Sequence, residues 1–381
     1  MTALAKRALF LISDTGGGHR AAANAIAAAL DERTDPRFEH RIDDVAAQFK
    51  YPLTQLGNAY STALKYAPAV YGALFHATNG RRRYRLLVRL TTPLYRNGLM
   101  ELYASYKPDV LISVHPLLNE PAIRARDDAG MQAVPFVTVV TDLGDAHESW
   151  FSPLADAVVV PAREVYDRAL SRGIAPERLH LIGHPIHPRF EDVRGTQAEI
   201  RARLGLPAAA TIVLLMAGGE GGGKLYDTSI ALAKADLGIH LVVVCGRNDA
   251  MRARLVEAAP SLPSPLTALG FTDAIPELYR AVDLLVTKAG PGAIAEADAA
   301  RLPIVVYDYV PGQELGNVRF VRDHDIGAVA LRGPSSVVDA VRDLLADPPR
   351  LSAIRERQAA LAPRDAARRI AAFVAGICAR G

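Results

Sequence analysis

Short, almost uninterrupted apolar runs alternate along this chain with longer stretches of helical period. Ala8–Ser13 (ALFLIS) is the first run, followed by glycines and an alanine-rich helix from about Arg20 to Leu30. Asp109–Val114, Pro135–Val140 and Asp156–Val160 predict further strands, separated by helix-length segments. The pattern restarts at Thr211–Met216 (TIVLLM), again with glycines and a helix after it. It continues through Ile239–Val244, Asp283–Thr287 and Pro303–Tyr307. Apolar runs without alternation suit strands covered on both faces, and strand–helix alternation over this length predicts an α/β chain with parallel sheets. The two strand–glycine–helix openings stand about 200 residues apart, which predicts two doubly wound domains. Residues 1–185 form the first and 186–350 the second, with a linker between Gly183 and Gly205. A last helix, about Asp347 to Cys378 within 351–381, is expected to pack back on the first domain. Ligands of such sheets bind at the carboxyl ends of strands, so the site is expected in a cleft between the domains.

Composition narrows the class. The 381 residues are 50% hydrophobic, enough for two cores. Two cysteines, Cys245 and Cys378, cannot form a disulfide framework and suit a reducing cytosol. Met1 to Ser13 reads as a first buried strand rather than a signal peptide, and no apolar run is long enough to cross a bilayer, so a soluble or peripheral protein is expected. Net charge is only +3, but it is unevenly spread. Between Val45 and Met100 there is no acidic residue, while Lys50, Lys65, Arg81, Arg82, Arg83, Arg85, Arg89 and Arg96 are all there. A solvated helix face, a nucleic-acid surface and an anionic membrane surface could each use such a segment. No nucleic-acid motif accompanies it, so no nucleic-acid partner is expected. Tyr60, Tyr66, Tyr71, Leu74, Phe75, Tyr84, Leu86, Leu87, Leu90 and Tyr95 are interleaved with the charge, as a monotopic anchor requires.

The polar residues at strand ends are the candidates for chemistry. The first loop, Ser13 to His19, carries Gly16, Gly17 and Gly18, which expose helix N-terminal amides. It is not a dinucleotide fingerprint. His19 stands where a helix N-terminus disfavours the imidazolium, leaving the ring able to accept a proton. His115 after one strand, and Asp142 and His147 after the next, join it at the same edge. The second loop runs Gly218, Gly219, Glu220, Gly221, Gly222, Gly223, Lys224; Leu225 replaces the hydroxyl that a phosphate loop needs for magnesium, so it predicts an anion site without the nucleotide-triphosphatase chemistry. Phe271 and Thr272, then Lys288, Gly290, Gly292 and Glu296, then Gln313, Glu314 and Asn317, fall at later strand ends of the same half. Together they predict one nucleotide-sized site in which a carboxylate such as Glu296 accepts from both ribose hydroxyls. No zinc-like spacing occurs, and Asp323-His324-Asp325 reads as solvated.

These motifs, in this order, resemble the GT-B glycosyltransferases that include MurG-like enzymes, monogalactosyldiacylglycerol synthases and diacylglycerol glucosyltransferases. The likeness is carried by Asp14–Arg20, Ser113–Leu117, Val139–Phe151, Gly183–Pro188, Met216–Gly223, Gly270–Leu278, Thr287–Glu296 and Pro311–Asn317. It implies a GT-B fold of two Rossmann-like domains and a UDP-sugar donor held by the C-terminal half. Gly218 to Gly223 would meet the pyrophosphate, Phe271 the uracil, Glu296 the ribose, and Gln313 and Glu314 the sugar. The loop with His19 would face the acceptor, and the segment with Lys65 and Arg81 to Arg96 would dock on a membrane. Relatives carry Arg where this chain has His187; Arg189, two residues on, is the candidate to supply that charge.

The resemblance implies an inverting hexosyltransferase that moves galactose or glucose from a UDP-sugar to diacylglycerol, with no cofactor and no obligatory metal. His19 would be the base, and Asp142 would orient it or share its role. A cytoplasmic protein, peripheral on the inner face of the cell membrane, is expected. Two other classes stay open: a transferase or epimerase acting on a soluble or other acceptor, and a non-catalytic UDP-sugar sensor.

Overall fold

The structure is a computed structural model and describes residues 5–13, 17–45, 68–218, 224–361 and 365–380. The chain divides into two compact units. Unit 1 comprises Met1–Pro188, Val310–Gly316 and Asp365–Gly381; unit 2 comprises Arg189–Tyr309 and Asn317–Arg364.

Unit 1 is built on β1 (Lys6–Ile12), β2 (Phe38–Asp44), β3 (Val110–Ser113), β4 (Phe136–Val139), β5 (Ala157–Val160) and β6 (Leu179–Leu181), all parallel, in the order β2-β1-β3-β4-β5-β6. Its helices are α1 (Gly17–Asp31), α2 (Pro68–Thr78), α3 (Arg81–Tyr106), α4 (Asn119–Asp128) and α5 (Arg163–Ser171). The period of two explains why β1 carries no polar residue after Arg7. Leu9 and Leu11 join one core with Leu99, Leu102 and Tyr103 of α3, while Phe10 and Ile12 join another with Ile26 and Leu30 of α1.

Unit 2 repeats the plan with β7 (Thr211–Met216), β8 (Ile239–Val244), β9 (Leu266–Leu269), β10 (Leu284–Lys288), β11 (Ile304–Asp308) and β12 (Gly327–Val329), parallel in the order β12-β11-β10-β7-β8-β9. Its helices are α6 (Gln197–Arg203), α7 (Leu225–Lys234), α8 (Asp249–Ala258), α9 (Ile275–Ala281), α10 (Pro291–Ala300), α11 (Leu315–Asp323), α12 (Pro334–Leu345) and α13 (Pro348–Leu361). A capping box starts α6, with Thr196 Oγ1 accepting from the Glu199 amide and Glu199 accepting from the Thr196 amide. Buried Arg201 then ties α6 to the sheet through Asp283 at 2.8 Å.

Four expectations need correction. Strands β2, β6, β9 and β12 went unpredicted. They are the four edge strands of the two sheets, short or half-exposed, so no continuous apolar run marks them. The linker drawn at 183–205 contains the whole of α6. The single last helix is two: α13, ending at Leu361, and α14 (Ala366–Arg380), with helix-breaking Pro363 between them in the sequence. Leu351 and Ile354 of α13 enter the core of unit 2, whereas Ile370 and Val374 of α14 enter that of unit 1. There Arg368 grips Glu32 through two bonds of 2.7 and 3.0 Å. Val310–Gly316 also departs from the expected division, since it belongs to unit 1.

Each sheet reverses its strand order once, between β1 and β3 in unit 1 and between β7 and β10 in unit 2. Such reversals leave a crevice beyond the carboxyl ends of the strands, where ligands of doubly wound sheets bind.

Candidate active site

In unit 1 the reversal point gathers histidines. His19 is the third residue of α1, which follows β1. The chain leaving β3 brings the His115 ring to 4.7 Å from that of His19, steeply tilted at 67°. Trp150, entirely buried, lies 6.2 Å from His19 between ring centres. Burial pushes His115 well below the usual imidazole range and His184 down to about 4, and the charge of His19 lowers each further. Both are therefore neutral near pH 7, and a proton taken up by His19 meets uncharged rings. His184 was not singled out from sequence; its only signal was its place in the Gly183–Pro188 motif. Gly17 and Gly18 are exposed with open space around them, and Gly16 lies outside the described residues.

Asp142 follows β4 and is buried; its Oδ2 accepts from the Trp150 indole N–H at 2.7 Å. Burial raises its carboxyl to about 6, opposed by the indole bond and reinforced by the charge of Glu314. Glu314 in turn accepts from the Val310 amide at 2.7 Å. Gln313 and Glu314, expected in the donor half, thus belong to unit 1. The approach is close enough to require glycine. A Cβ on Gly144 would stand 2.3 Å from the Gly316 carbonyl oxygen, and one on Gly316 would stand 2.2 Å from the Asp145 amide.

His147 does not serve the chemistry expected of it. Its Nδ1 accepts from the Ser149 amide at 3.2 Å and lies 2.7 Å from the Ser149 hydroxyl, while Nε2 faces Thr78 Oγ1 at 3.3 Å. Both nitrogens are engaged, so neither is left for a substrate proton. Burial pushes the ring down to about 4, and it braces the turn between α2 and α3, where the Asn79 side chain also accepts from the Glu148 amide.

In unit 2 the reversal point gathers the donor candidates. Gly218 follows β7 with φ +80, a backbone state that favours glycine, and a Cβ there would meet nothing within 4 Å. Gly219, Glu220, Gly221, Gly222 and Gly223 lie outside the described residues. Beside β7, β10 leads through Lys288 to Gly290, which caps α10, and to Gly292 in its first turn. Glu296 sits in the second turn. Burial raises its carboxyl to about 7, while a hydrogen bond from Tyr279 and the charge of Arg189 oppose the rise. Arg189 Nη1 is also 3.7 Å from Asp273 Oδ1, so this arginine faces the Glu296 cluster; His187 is half-buried in unit 1. Phe271 after β9 is 62% exposed with the Arg247 guanidinium 5.3 Å above its ring. Lys224, at the start of α7, pairs with Asp308 at 3.2 Å.

Two donor-side residues are committed elsewhere. Thr272 Oγ1 accepts from the Ala274 amide, and Asn317, 1% exposed, donates to the Ala289 carbonyl at 3.0 Å. Both bonds shape the loops that carry these residues. Among the described residues no group of three or more His, Cys, Asp or Glu could hold a metal ion. Asp323 and Asp325 pair with Arg322 and Arg357.

The basic segment is sorted by α3. Arg81, Arg82, Arg83, Arg85 and Arg89 are exposed, and so are Leu86, Leu90 and Leu94, spaced four apart on one stripe. Tyr84 and Tyr95 face the core instead, against expectation, because the helix must bury one side. Arg96 is held by Asp128 at 2.6 Å. Lys50 and Lys65 lie outside the described residues. No described helix is long and apolar enough to cross a membrane.

The model of a family described as "Monogalactosyldiacylglycerol (MGDG) synthase" matches residues 19–186, which hold every histidine of the unit 1 cluster. That of the glycosyltransferase family 28 C-terminal domain matches 217–370. Monogalactosyldiacylglycerol synthase 3 of Arabidopsis thaliana is 34% identical over 348 residues, covering 89% of this chain and 74% of that one. The chain belongs to the monogalactosyldiacylglycerol synthase family. The family's spinach member, from Spinacia oleracea, is 35% identical over 88% of this chain, which spans 65% of that relative's length. Solved structures share the GT-B fold. MurG of Acinetobacter baumannii aligns at a TM-score of 0.61 with 16% identity, over 97% of this chain and 99% of that one. The MnaA–UDP structure of Staphylococcus aureus aligns at 0.59 with 15% identity, over 97% and 96%.

Proposed function

We propose that this family member transfers a hexose, galactose in the first instance, from its UDP derivative to the free hydroxyl of diacylglycerol. The observation that carries the reading is His19 at the reversal point of unit 1, set beside the His115 imidazole that burial keeps neutral. A diacylglycerol hydroxyl is a poor nucleophile until a base takes its proton, and His19 is the base. Gly218 and the amides opening α7 receive the charge that develops on the departing pyrophosphate. Glu296 accepts from the ribose, and the exposed Phe271 lies by the uracil. One direct displacement at the anomeric carbon converts an α-linked donor into a β-glycoside. The leucine–arginine stripe of α3 supports docking on an anionic bilayer, with its leucines in the interface and its arginines on phosphates. We place the protein on the cytoplasmic face of the cell membrane for that reason.

The test is incubation with diacylglycerol in anionic micelles and either UDP-galactose or UDP-glucose, with the anomeric configuration of the product read by NMR. A β-monogalactosyl lipid is expected. His19→Ala should lower turnover by about 100-fold or more while leaving UDP-sugar binding intact. Hydrolysis of the donor without lipid product, or full activity of His19→Ala, would overturn the assignment.

A further inference from the structure

Trp150 is the single tryptophan of the chain, and its indole N–H reaches no water; it donates to Asp142 at 2.7 Å. A buried indole donor needs such a partner, and a carboxylate is a strong one. The ring so fixed lies against the His19 imidazole, inclined at 55°, while His115 meets the same imidazole at 67°. The terminal torsion of a histidine is broad, so its neighbours decide where the ring nitrogens point. The Oδ2 of Asp142 is committed to the indole, so this side chain fixes the Trp150 ring.

We propose that Asp142 is a positioning residue: it takes no proton from the acceptor, but fixes the Trp150 ring against which the His19 imidazole is set. This rests on the reading of His19 as the base. A base displaced by about 1 Å can lose about 100-fold in rate, which sets the scale of the effect.

Asparagine at this position keeps an oxygen that accepts from the indole; alanine does not. Asp142→Asn, Asp142→Ala and Trp150→Phe would be compared by turnover, by KM for the UDP-hexose and, in the two Asp142 variants, by the indole N–H band in ultraviolet resonance Raman spectra. That band reports Trp150 alone. Asp142→Asn should keep the hydrogen-bonded band and hold kcat within about 5-fold of the parent. Asp142→Ala should lose the band and about 100-fold in kcat, with KM for the donor within about twofold. Trp150→Phe should show the same loss of kcat, which keeps the test open if the alanine variant does not fold. An asparagine variant as inactive as alanine, with the parental indole band, would overturn the proposal, because the carboxylate itself would then carry the proton. So would parental kcat in Asp142→Ala or Trp150→Phe. His19→Ala measured alongside separates the two readings. Full activity there refutes the base, whereas the asparagine result refutes only the role of Asp142.

Discussion

Glutamine at position 296 separates the charge of that side chain from its shape. The free carboxyl is raised to about 7 by burial, against the opposing hydrogen bond of Tyr279 and charge of Arg189. Only the ionised form accepts from two ribose hydroxyls at once, so binding a uridine nucleotide below that pH must expel a proton. Affinity should then fall about tenfold for each pH unit below about 7, or about 100-fold by pH 5. Well above pH 7 the parent binds with its full charge. Removing that charge should cost about 1.5–3 kcal/mol, or about 10- to 150-fold in Kd. The parental and Glu296→Gln curves should therefore part at high pH and converge toward about pH 5. Calorimetry with a UDP-hexose suits the test, since its pyrophosphate diester gains no proton in this range. Repeating it in buffers of different ionisation heat counts the released proton. Linkage to folding runs the other way. A carboxyl raised above the ordinary 4.5 contributes stability that is fully present below 4.5 and is lost as pH rises through about 7. The glutamine variant should accordingly be the more stable protein above pH 7, by less than the full shift suggests because Glu296 keeps some solvent contact. A flat parental affinity between about pH 5 and 8.5, or a constant ratio between the two proteins, would refute the reasoning.

Gly316→Ala should destabilise the contact with Asp145 by about 1–3 kcal/mol, seen as faster hydrogen exchange at residues 142–147. Gly376→Ala in α14, where a Cβ meets nothing, should be neutral or stabilising by up to about 1 kcal/mol; equal effects would argue against the packing. Phe271→Ala should weaken UDP binding by about 1–3 kcal/mol if the base stacks there, and an unchanged Kd would move the base elsewhere. Replacing Arg82, Arg85 and Arg89 by Ser should weaken binding to anionic vesicles by about 1 kcal/mol per residue, an effect that fades as the Debye length falls to about 3 Å in 1 M salt. Parental vesicle binding at low salt would make α3 a solvated face.

Histidine 147 shows where reading by sequence fails. It stands five residues after Asp142 and looks like a partner of His19, yet both its nitrogens are spent on Ser149 and Thr78. Thr78 is 69 residues away, and no local pattern predicts such a contact. His184 fails in the opposite sense: it lies after the last strand of unit 1, and beyond its place in the Gly183–Pro188 motif no local pattern announces that it shares the electrostatics of His19. Tyr84 and Tyr95 look interfacial in a basic stretch, but a helix facing a core must bury one side, and these lie on it.

Local chemistry was enough for much else. Apolar runs such as ALFLIS and TIVLLM have to be strands covered on both faces, because hydrogen-bonded backbone and side chains of that kind tolerate water on neither. The strand–glycine–helix turns have to lie at carboxyl edges, which sets His19, Gly218 and Glu296 at the edges where doubly wound sheets bind ligands. Tertiary structure alone decided which strand neighbours which, and therefore that His19 meets His115 across β1 and β3. It also decided that Val310–Gly316 serves unit 1 and that Asp142 is spent on Trp150. The reason is physical: strand periodicity and turn preference are set within a few residues. Pairing across a sheet and the partner of a buried carboxylate are settled instead by desolvation among groups far apart in the chain.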